Sequence, residues 1–475
     1  MSYSELKGFK DNFGFGTSLL KVTATGFTGD VTVKDENNNT IATKPLVDGK
    51  TEIPVTASGA LIISCTGATP QVINVTQYGT YNVILTDTVV YTLRIAISNS
   101  APASRCEYLD DCAGFTPAKM NFNTGEFEYG SWRNAFFMPK PCMVKTDGTI
   151  DYFLDPDDYT KKENGDPSDV ADLNYDGNAF VAVPTTYMKC EEIGGYRYIH
   201  ISNKKAAAGY EAYAHHDKNG NVMPYTFWPI YMGYKNGTKT RSISGTTPTV
   251  STTAAQERAA AQANGDIYDI ETYADFELRK NLCYLMGRST NTQDVFGYGR
   301  CASGNTNAIA NGTMNTKGLF WGSNDQTSGV KVFGIENPWG NLWRRIVGLM
   351  ASAAAVYVKM TRGTEDGSTV AGYSDSSVSG MISAGVTMGG TSGGYINACD
   401  TKEYAIIGKT ASGSETTYEC DGLWFSTSSG TYMALVGGNW NAAGLVGAGC
   451  VSLAHAPSAS AAYIGAALSC KPLVQ

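Results

Sequence analysis

Short stretches of alternating apolar and polar residues fill the N-terminal part of the chain, from residue 18 to about residue 98. Segments such as "DVTVKD", "ALIISC" and "YNVIL" are separated by clusters of Gly, Asn, Asp and Pro. Because successive side chains of a strand point to opposite faces, this period of two predicts strands with one buried face. Turn signals at intervals of about eight to twelve residues are typical of a two-sheet sandwich. We therefore expect an antiparallel, Ig-like β-sandwich over residues 1–98, with the role of an anchor or spacer.

The helical period is confined to residues 252–288. The stretch "AAQERAAAQA" consists of strong helix formers, and "YADFELRKNLCYLMGR" repeats its apolar residues at helical spacing, at Leu278, Leu282, Leu285 and Met286. This spacing predicts one buried helix face. The rest of the chain combines short apolar runs with Gly-rich and aromatic loops. The fold class that follows is α+β, rich in strands and loops.

Length and composition predict more than one domain. Its 475 residues exceed the usual size of one domain, and all seven Trp lie in the later part. The stretch "APASRCEYLDDCAGFTPA" is rich in small residues and Pro, which predicts a junction over residues 99–130 and a second domain over residues 131–475. In "GLFWGSNDQTSGVKVFGIENPWGNLWRR" we expect the aromatic residues to pack into a core, and Asn337 and Asn341 to bond loop backbone.

The charge balance argues against several classes of partner. The formal net charge is −8, and no basic run of the kind that concentrates Lys and Arg on one face occurs, so we expect no nucleic-acid ligand. The opening stretch lacks a basic run followed by a long apolar run, and no later segment is long enough to span a bilayer. We therefore expect synthesis in the cytoplasm and no membrane insertion. The eleven Cys include no CxxC pair, which predicts buried free thiols.

Residues that carry catalysis or bind metals are sparse. His215 and His216 are adjacent, and neighbouring side chains on an extended chain diverge, so the pair does not suit one metal ion. The acidic stretch "DPDDYTKKENGDPSDVADLNYDGN" lacks the spacing of an EF-hand and is interpreted as a solvated loop. No nucleophile elbow, phosphate loop or dinucleotide fingerprint occurs. We expect no enzyme activity, no cofactor and no metal site.

Two stretches carry a resemblance to a known family. "ENPWGNLWRR" and the terminal "GGNWNAAGLVGAGCVSLAHAPSASAAYIGAAL" together resemble the C-type-lectin-like fold of the formylglycine-generating-enzyme type, and within it the variable proteins of diversity-generating retroelements. "HHDKNGNVMPYTFWPIYMGY" is similar to receptor-binding tail proteins of phages that infect gut bacteria. The resemblance covers the chain from about residue 93 onwards. It implies a C-type-lectin-like ligand-binding domain over residues 131–475, with a variable region at about 436–465.

The resemblance also implies how that region is made. In this family a reverse transcriptase copies a template RNA with errors at adenines, so asparagine codons give Ala, Leu, Val, Cys, Ser, His, Tyr and several other residues, but never Trp, Met, Lys, Glu or Gln. The positions expected to vary, and to project from one surface, are Ala442, Leu445, Val446, Cys450, Ser452, Ala454, His455, Ala459, Ala461 and Tyr463. The expected fixed scaffold comprises Trp339, Trp343, Trp440, Leu453, Pro457, Ile464 and Gly465.

The function that the resemblance implies is binding. A phage tail adhesin, located on the virion, would use the variable surface to bind a host-cell surface protein or glycan. Its other partners would be phage tail proteins, with a homotrimer as one candidate assembly. His455 and Tyr463 are the expected directional contacts of the surface.

Two alternatives share the same fold. A copper-dependent oxidase of the formylglycine-generating type would need two cysteines near the C-terminus, for which Cys450 and Cys470 are the candidates, although Cys450 coincides with a predicted variable position. A calcium-dependent lectin of fixed specificity would need a carbohydrate-site motif, which the "ENP" of residues 336–338 matches only superficially. Metal dependence of binding would separate the lectin from the adhesin.

Overall fold

A computed structural model describes residues 17–24, 27–68, 70–85, 88–360 and 381–474. Strands dominate these residues and helices are few, which confirms the strand-rich fold predicted from the sequence. We call residues 17–85 the sandwich and residues 88–474 the body, because each has a hydrophobic core of its own. No helix among the described residues is both long and apolar enough to cross a membrane.

Two sheets build the sandwich. Its strands are β1 Ser18–Thr23, β2 Asp30–Lys34, β3 Thr40–Pro45, β4 Lys50–Val55, β5 Gly59–Cys65, β6 Gln71–Val75 and β7 Thr80–Ile84. One sheet has the order β4-β1-β7 and the other the order β3-β2-β5-β6. Alternating apolar residues such as Leu20, Val33 and Ile63 are fully buried between them. β1 and β7 pair in parallel, so the expectation of a purely antiparallel sandwich is wrong for this pair of strands.

The body contains three larger sheets. Its strands are β8 Val90–Ala96, β9 Cys106–Asp110, β10 Lys119–Asn121, β11 Glu126–Glu128, β12 Lys140–Lys145, β13 Ile150–Phe153, β14 Gly177–Pro184, β15 Tyr187–Ile193, β16 Tyr196–Ser202, β17 Tyr225–Pro229, β18 Tyr234–Asn236, β19 Lys239–Arg241, β20 Tyr268–Ile270, β21 Lys331–Val332, β22 Ile335–Glu336, β23 Trp343–Ser352, β24 Ala355–Val358, β25 Ile382–Thr387, β26 Gly389–Gly390, β27 Gly394–Lys402, β28 Ala405–Ala411, β29 Gly422–Phe425, β30 Tyr432–Val436, β31 Val451–Leu453, β32 Ile464–Ala466 and β33 Leu468–Cys470. The sheet orders are β15-β16-β8-β9, β13-β12-β14-β17-β33-β20 and β25-β24-β23-β30-β31-β29-β27-β28-β26, with β32 beside β23.

The boundary between the two units lies before the one expected at residue 98. β8 alternates like the strands of the sandwich, but it pairs with β16 and β9 of the body. Its Leu93 and Ile95 are buried in the body's core. The expected division at residue 98 is therefore wrong by one strand. Alternation along a segment identifies a strand, but it does not tell which sheet the strand joins.

The predicted junction of residues 99–130 is also folded into the body. It supplies β9, β10 and β11, and its Cys112 and Phe115 are buried in the main core. The sandwich contacts this part of the body directly. The Nδ2 atom of Asn74 donates to the carbonyl oxygen of Gly114 at 3.3 Å.

The predicted helices are present. The described residues contain α1 Ala254–Gln262, α2 Tyr273–Gly287 and the short α3 Thr292–Phe296. α1 and α2 each begin at a capping box, in which the hydroxyls of Thr253 and Thr272 accept main-chain amides of the first turn. The apolar face predicted for α2 is buried, and so is every other residue of this helix. Its charged side chains are paired, as where Lys280 Nζ lies 2.7 Å from Glu277 Oε1.

The aromatic stretch before β23 packs into the main core, as predicted. Phe333 and Trp339 are buried, and the rings of Phe320 and Phe333 meet at a centroid distance of 5.0 Å. Both asparagines accept loop amides: Asn337 Oδ1 from Val330 at 3.3 Å and Asn341 Oδ1 from Ile309 at 2.9 Å. This region forms the support on which the last part of the chain rests.

Candidate ligand-binding surface

Residues 437–463, which we call the terminal segment, connect β30 to β32 and include β31. The segment opens with Gly437 and Gly438, whose φ angles are 84° and 80°. A Cβ atom on Gly437 would lie 2.7 Å from the carbonyl oxygen of Pro338. Glycine is the residue that adopts this backbone without steric cost. The path of the chain into the segment is therefore fixed by its first two residues.

The first half of the terminal segment is held by side chains that lie outside it. Asn305 Nδ2 donates to the carbonyl oxygen of Trp440 at 3.0 Å, and Gln293 Nε2 donates to that of Gly444 at 2.9 Å. Two further contacts reach main-chain amides: Thr292 Oγ1 accepts from Ala448 at 3.0 Å, and Asp421 Oδ2 accepts from Gly449 at 2.8 Å. All four contacts use the main chain of the segment. None of them involves a side chain of the segment.

The second half of the segment, residues 457–463, is also held through its main chain, at four alternate carbonyl groups. The donors are Ala254 N to Pro457 O at 2.9 Å, Arg345 Nη2 to Ala459 O at 2.8 Å, Ser251 N to Ala461 O at 3.1 Å and Trp343 N to Tyr463 O at 2.9 Å. Each donor lies outside the segment. Because buried carbonyl groups need partners, these contacts turn the carbonyl groups of the odd-numbered residues towards the body.

Exposure alternates along the same stretch. The even-numbered side chains of Ala456, Ser458, Ser460 and Ala462 are exposed, whereas the odd-numbered ones are half-buried. None of these four residues is among the positions predicted from the sequence. The only cue for them is that Ser458 and Ser460 put hydroxyls at alternate positions, which is a weak pattern in a run of Ala. In the first half, Asn441 and Ala443 are exposed and were missed as well.

Seven of the ten predicted contact positions are half-buried. They are Ala442, Leu445, Ala454, His455, Ala459, Ala461 and Tyr463. Ala461 and Tyr463 pack inward against the cluster of Trp343 and Ile464. The ring of Tyr463 also meets that of Trp440 edge to face, with centroids 6.4 Å apart. These side chains present one side to solvent and the other to the body.

The other three predicted positions are buried, so the expectation that they project from the surface is wrong. Val446 is fully buried in the main core. Cys450 is fully buried in the cluster of Trp343 and Ile464. Ser452 is fully buried because it lies on β31, an interior strand between β29 and β30. Their residue types agree with the codon pattern, but their sites are core positions.

The residues expected to form the scaffold are almost all buried. Trp339, Trp343, Trp440, Leu453, Ile464 and Gly465 are buried, and Pro457 is half-buried. Trp343 and Trp424 meet edge to face, with ring centroids 5.3 Å apart. Through the pairing of β23 with β32, Trp343 lies opposite Ile464. The terminal segment is thus bounded by aromatic packing at both ends.

The terminal segment carries no formal charge, because residues 437–470 include no Asp, Glu, Lys or Arg. Its only histidine, His455, contacts Ser452 Oγ through Nδ1 at 3.2 Å. Burial, followed by the nearby charge of Arg345, lowers the pKa of His455 below its ordinary value. The histidine is therefore neutral at pH 7, and the surface presents small, uncharged groups around two larger side chains, His455 and Tyr463.

The two cysteines of the oxidase alternative belong to different hydrophobic clusters. Cys450 lies in the cluster with Trp343, whereas Cys470 lies in a different hydrophobic cluster and belongs to β33 of the six-stranded sheet. Burial raises the pKa of the Cys450 thiol well above its ordinary value. A metal-binding or nucleophilic cysteine needs its thiolate form, so this arrangement does not favour the oxidase.

The residues of the lectin alternative are engaged within the body. Glu336 is buried, and its carboxylate accepts the main-chain amides of Gly312 and Met314 at 2.8 and 2.9 Å. Asn337 directs its Oδ1 to a main-chain amide, as described above. The "ENP" motif therefore builds a turn and does not face solvent as a calcium ligand would.

The other side chains that could coordinate a metal ion do not lie together. His215 Nε2 contacts the carbonyl oxygen of Val183 at 3.2 Å, and His216 Nε2 contacts Glu211 Oε1 at 3.2 Å, so the two rings serve different partners. In the acidic stretch, Asp155 Oδ1 caps its own turn by accepting a main-chain amide at 2.9 Å. No three acidic, His or Cys side chains of the described ranges are grouped as a metal ion would require.

Comparison with known proteins gives no family for the chain. No protein-family model matches the sequence, and no curated protein matches it either.

Proposed function

We propose that the chain is a non-enzymatic binding protein, a phage tail adhesin whose terminal segment is the ligand surface and is diversified by a retroelement. One observation carries the proposal. The segment is anchored through main-chain groups by residues outside it, whereas its side chains at alternate positions are exposed and small. Such a surface exchanges side chains without altering the path of the backbone, which is what a diversified binding site needs.

The finer fold assignment belongs to the same proposal. An Ig-like sandwich as an anchor and a C-type-lectin-like body as the binding domain would divide attachment from recognition. Two sheets around a separate core support the first part. The resemblance of "ENPWGNLWRR" and of the terminal segment supports the second. The sandwich would then be the part by which other tail proteins hold the chain, alone or as a homotrimer.

The lack of charge on the surface indicates which class of partner it can bind. A host-cell surface protein or a neutral glycan suits it, because an uncharged surface offers no countercharge to a polyanion. Exposed Ala and Ser side chains leave a shallow surface that accepts a protruding group. His455 and Tyr463 are the side chains large enough to make directional contacts there. The virion is the location that this role requires.

Diversification is tested by deep sequencing of the 3′ end of the gene in a natural population. Substitutions should concentrate at codons of half-buried and exposed positions such as His455 and Ser458, with adenine-dependent changes, and should spare Trp440 and Ile464. Variation there no greater than at Trp339 would overturn the retroelement part of the proposal and leave a binding domain of fixed specificity.

Binding is tested with purified, fluorescently labelled chain on a panel of intact gut bacteria. The double substitution Ala456→Asp and Ala462→Asp should abolish binding to any strain that retains the wild-type chain. The matched control is Ala206→Asp with Ala208→Asp, two exposed alanines on a loop before the 3-10 turn of residues 213–215. Equal binding by both variants would contradict the assignment of the surface. Protease and periodate treatment of the cells then separate a protein ligand from a glycan.

A further inference from the structure

Among the described residues, the sandwich has four edge strands, and three of them are protected against pairing with another chain. β3 carries Lys44 and Pro45, and β4 carries Lys50 and Pro54. Charged side chains and Pro on an edge strand oppose the addition of a further strand. β6 is the third, and it is held against the body through Asn74. These three edges are therefore closed to a partner.

β7, the fourth edge strand, has none of these protections. It pairs with β1 on one side, and no described strand pairs with it on the other. Residues 77–85 include no charged residue and no Pro. The side chains of Tyr78 and Ile84 are each 64% exposed. β7 is thus an uncharged, open edge of the kind to which a further strand adds.

The main chain of β7 presents hydrogen-bonding groups on its open side. Leu85 N donates to the carbonyl oxygen of Thr23 in β1 at 2.7 Å. Because main-chain groups alternate in direction along a strand, this bond and the parallel register turn the groups of the odd-numbered residues towards β1. The groups of Thr80, Asn82 and Ile84 point the other way, and no described residue bonds to them. Their amides and carbonyl oxygens are therefore available to a partner.

The sequence of β7 is complementary to itself in an antiparallel pair centred on Asn82. In that register Thr80 lies opposite Ile84 of the partner subunit, and Tyr81 lies opposite Val83 of the partner subunit. Asn82 lies opposite its own counterpart. All outward-facing main-chain groups then fall into hydrogen-bonded pairs. The side-chain pairs combine β-branched and aromatic residues without like charges, which is favourable across strands.

We propose that β7 is a self-association surface, through which two copies of the chain join their sandwiches around a two-fold axis. The two three-stranded sheets then become one sheet with the order β4-β1-β7-β7-β1-β4. A second copy is the occupant because the edge matches itself about one residue, as a two-fold contact requires. The inference does not depend on the proposed function. Two terminal segments on one particle would bind a repeated ligand with higher avidity.

The first test is the oligomeric state of the full chain, measured by sedimentation velocity. Concentrations up to about 100 µM are needed, because a contact of one strand pair is in the size range of weak complexes. Asn82→Lys sets two ammonium groups opposite each other and should convert dimers to monomers. Its matched control, Thr43→Lys at an exposed position of β3, should leave the dimer intact. A wild-type chain that is monomeric or trimeric, or a dimer that survives Asn82→Lys, would overturn the proposal.

Disulfide trapping tests the register of the pair. Asn82→Cys places two thiols opposite each other, with Cα atoms about 5.5 Å apart, which is within the reach of a disulfide. Thr80→Cys places them about 14 Å apart, beyond that reach. Both positions are exposed, and ten of the eleven native cysteines are buried. Mild oxidation should therefore give a covalent dimer of the first variant only, and equal trapping of the two variants would contradict the pairing.

Discussion

The ammonium nitrogen of Lys471 lies 2.6 Å from Asp275 Oδ1, and both side chains are buried. Burial opposes ionisation of Asp275, yet the charge of Lys471 and several hydrogen bonds hold its pKa below the ordinary value. One of these bonds comes from Trp228 Nε1 at 3.1 Å. The contact joins the residue that follows β33 to the first turn of α2, the central helix of the body.

Lys471→Met should destabilise the body by about 3–5 kcal/mol, because it leaves a buried carboxylate without its countercharge. Urea unfolding followed by tryptophan fluorescence measures this loss, since all seven Trp lie in the body and none in the sandwich. The control is Lys409→Met. Lys409 pairs with Asp400 at 3.1 Å but is 44% exposed, so its loss should cost less than about 1 kcal/mol. Equal losses in the two variants would contradict the prediction.

Ser452→Asp and Ser458→Asp make the same chemical change at a buried and at an exposed position of the terminal segment. The first should lower the free energy of unfolding by several kcal/mol, because it places a carboxylate inside an interior strand. The second should change it by less than about 0.5 kcal/mol. Thermal and urea unfolding of the two variants measure both changes in the free energy of unfolding. A tolerated Asp at residue 452 would show that this position faces solvent after all.

Mild acid should destabilise the body through His215. Burial, reinforced by the charge of Lys471, lowers the pKa of this histidine to about 3, whereas an unfolded histidine has a pKa of about 6.5. Between these values the unfolded chain binds a proton that the folded chain does not, so stability falls as the pH drops below about 6.5. At pH 5 the loss from this group is about 2 kcal/mol.

His215→Gln provides the control, because the glutamine side chain does not take up a proton in either the folded or the unfolded chain. The difference in unfolding free energy between pH 7.5 and pH 5.0, measured in urea, should be smaller in the variant by about 2 kcal/mol. Other titrating groups contribute equally to both proteins and cancel in the comparison. The same pH dependence in variant and wild type would refute the assignment.

The thiols of the native chain should be nearly inert. All eleven cysteines are free and ten are buried, with Cys399 the exception. Burial raises the pKa of Cys106 and that of Cys112 to about 12, so few thiolates form at pH 7.5. A chromogenic thiol reagent should react at once with all eleven in denaturant, and with no more than Cys399 in the native state. Rapid native reaction at Cys450 would favour the oxidase alternative instead.

The sequence predicted where the helices and strands lie better than it predicted which strands pair with each other. α1 was predicted from its strong helix formers and α2 from the helical spacing of its apolar residues, and both are local properties. The strands of the sandwich were found by their alternation. β8 has the same alternation, yet it belongs to the body, since pairing with β9 and β16 depends on residues far along the chain. Strand pairing is a non-local property that no short pattern encodes.

The sequence did not predict which side chains of the terminal segment are exposed. The frame of Gly, Trp and Ile indicated where the terminal segment lies. Which of its side chains project depends on donors such as Ser251 and Arg345, which orient the carbonyl groups from outside. Ala and Ser differ too little in hydropathy to reveal that orientation. Cys450 and Ser452 were assigned to the surface because their residue types agree with the codon pattern, and Ser458 and Ser460 were missed.

The order of the six-stranded sheet has a consequence for chains that end early or change reading frame. β33 follows the terminal segment in sequence but lies between β17 and β20, so the sheet stays open until residues 468–470 have been made. A chain cut short or shifted in frame within the segment lacks this strand and the anchor at Lys471. We expect such a product to leave its core open and to be degraded, so that folding itself separates in-frame products from faulty ones.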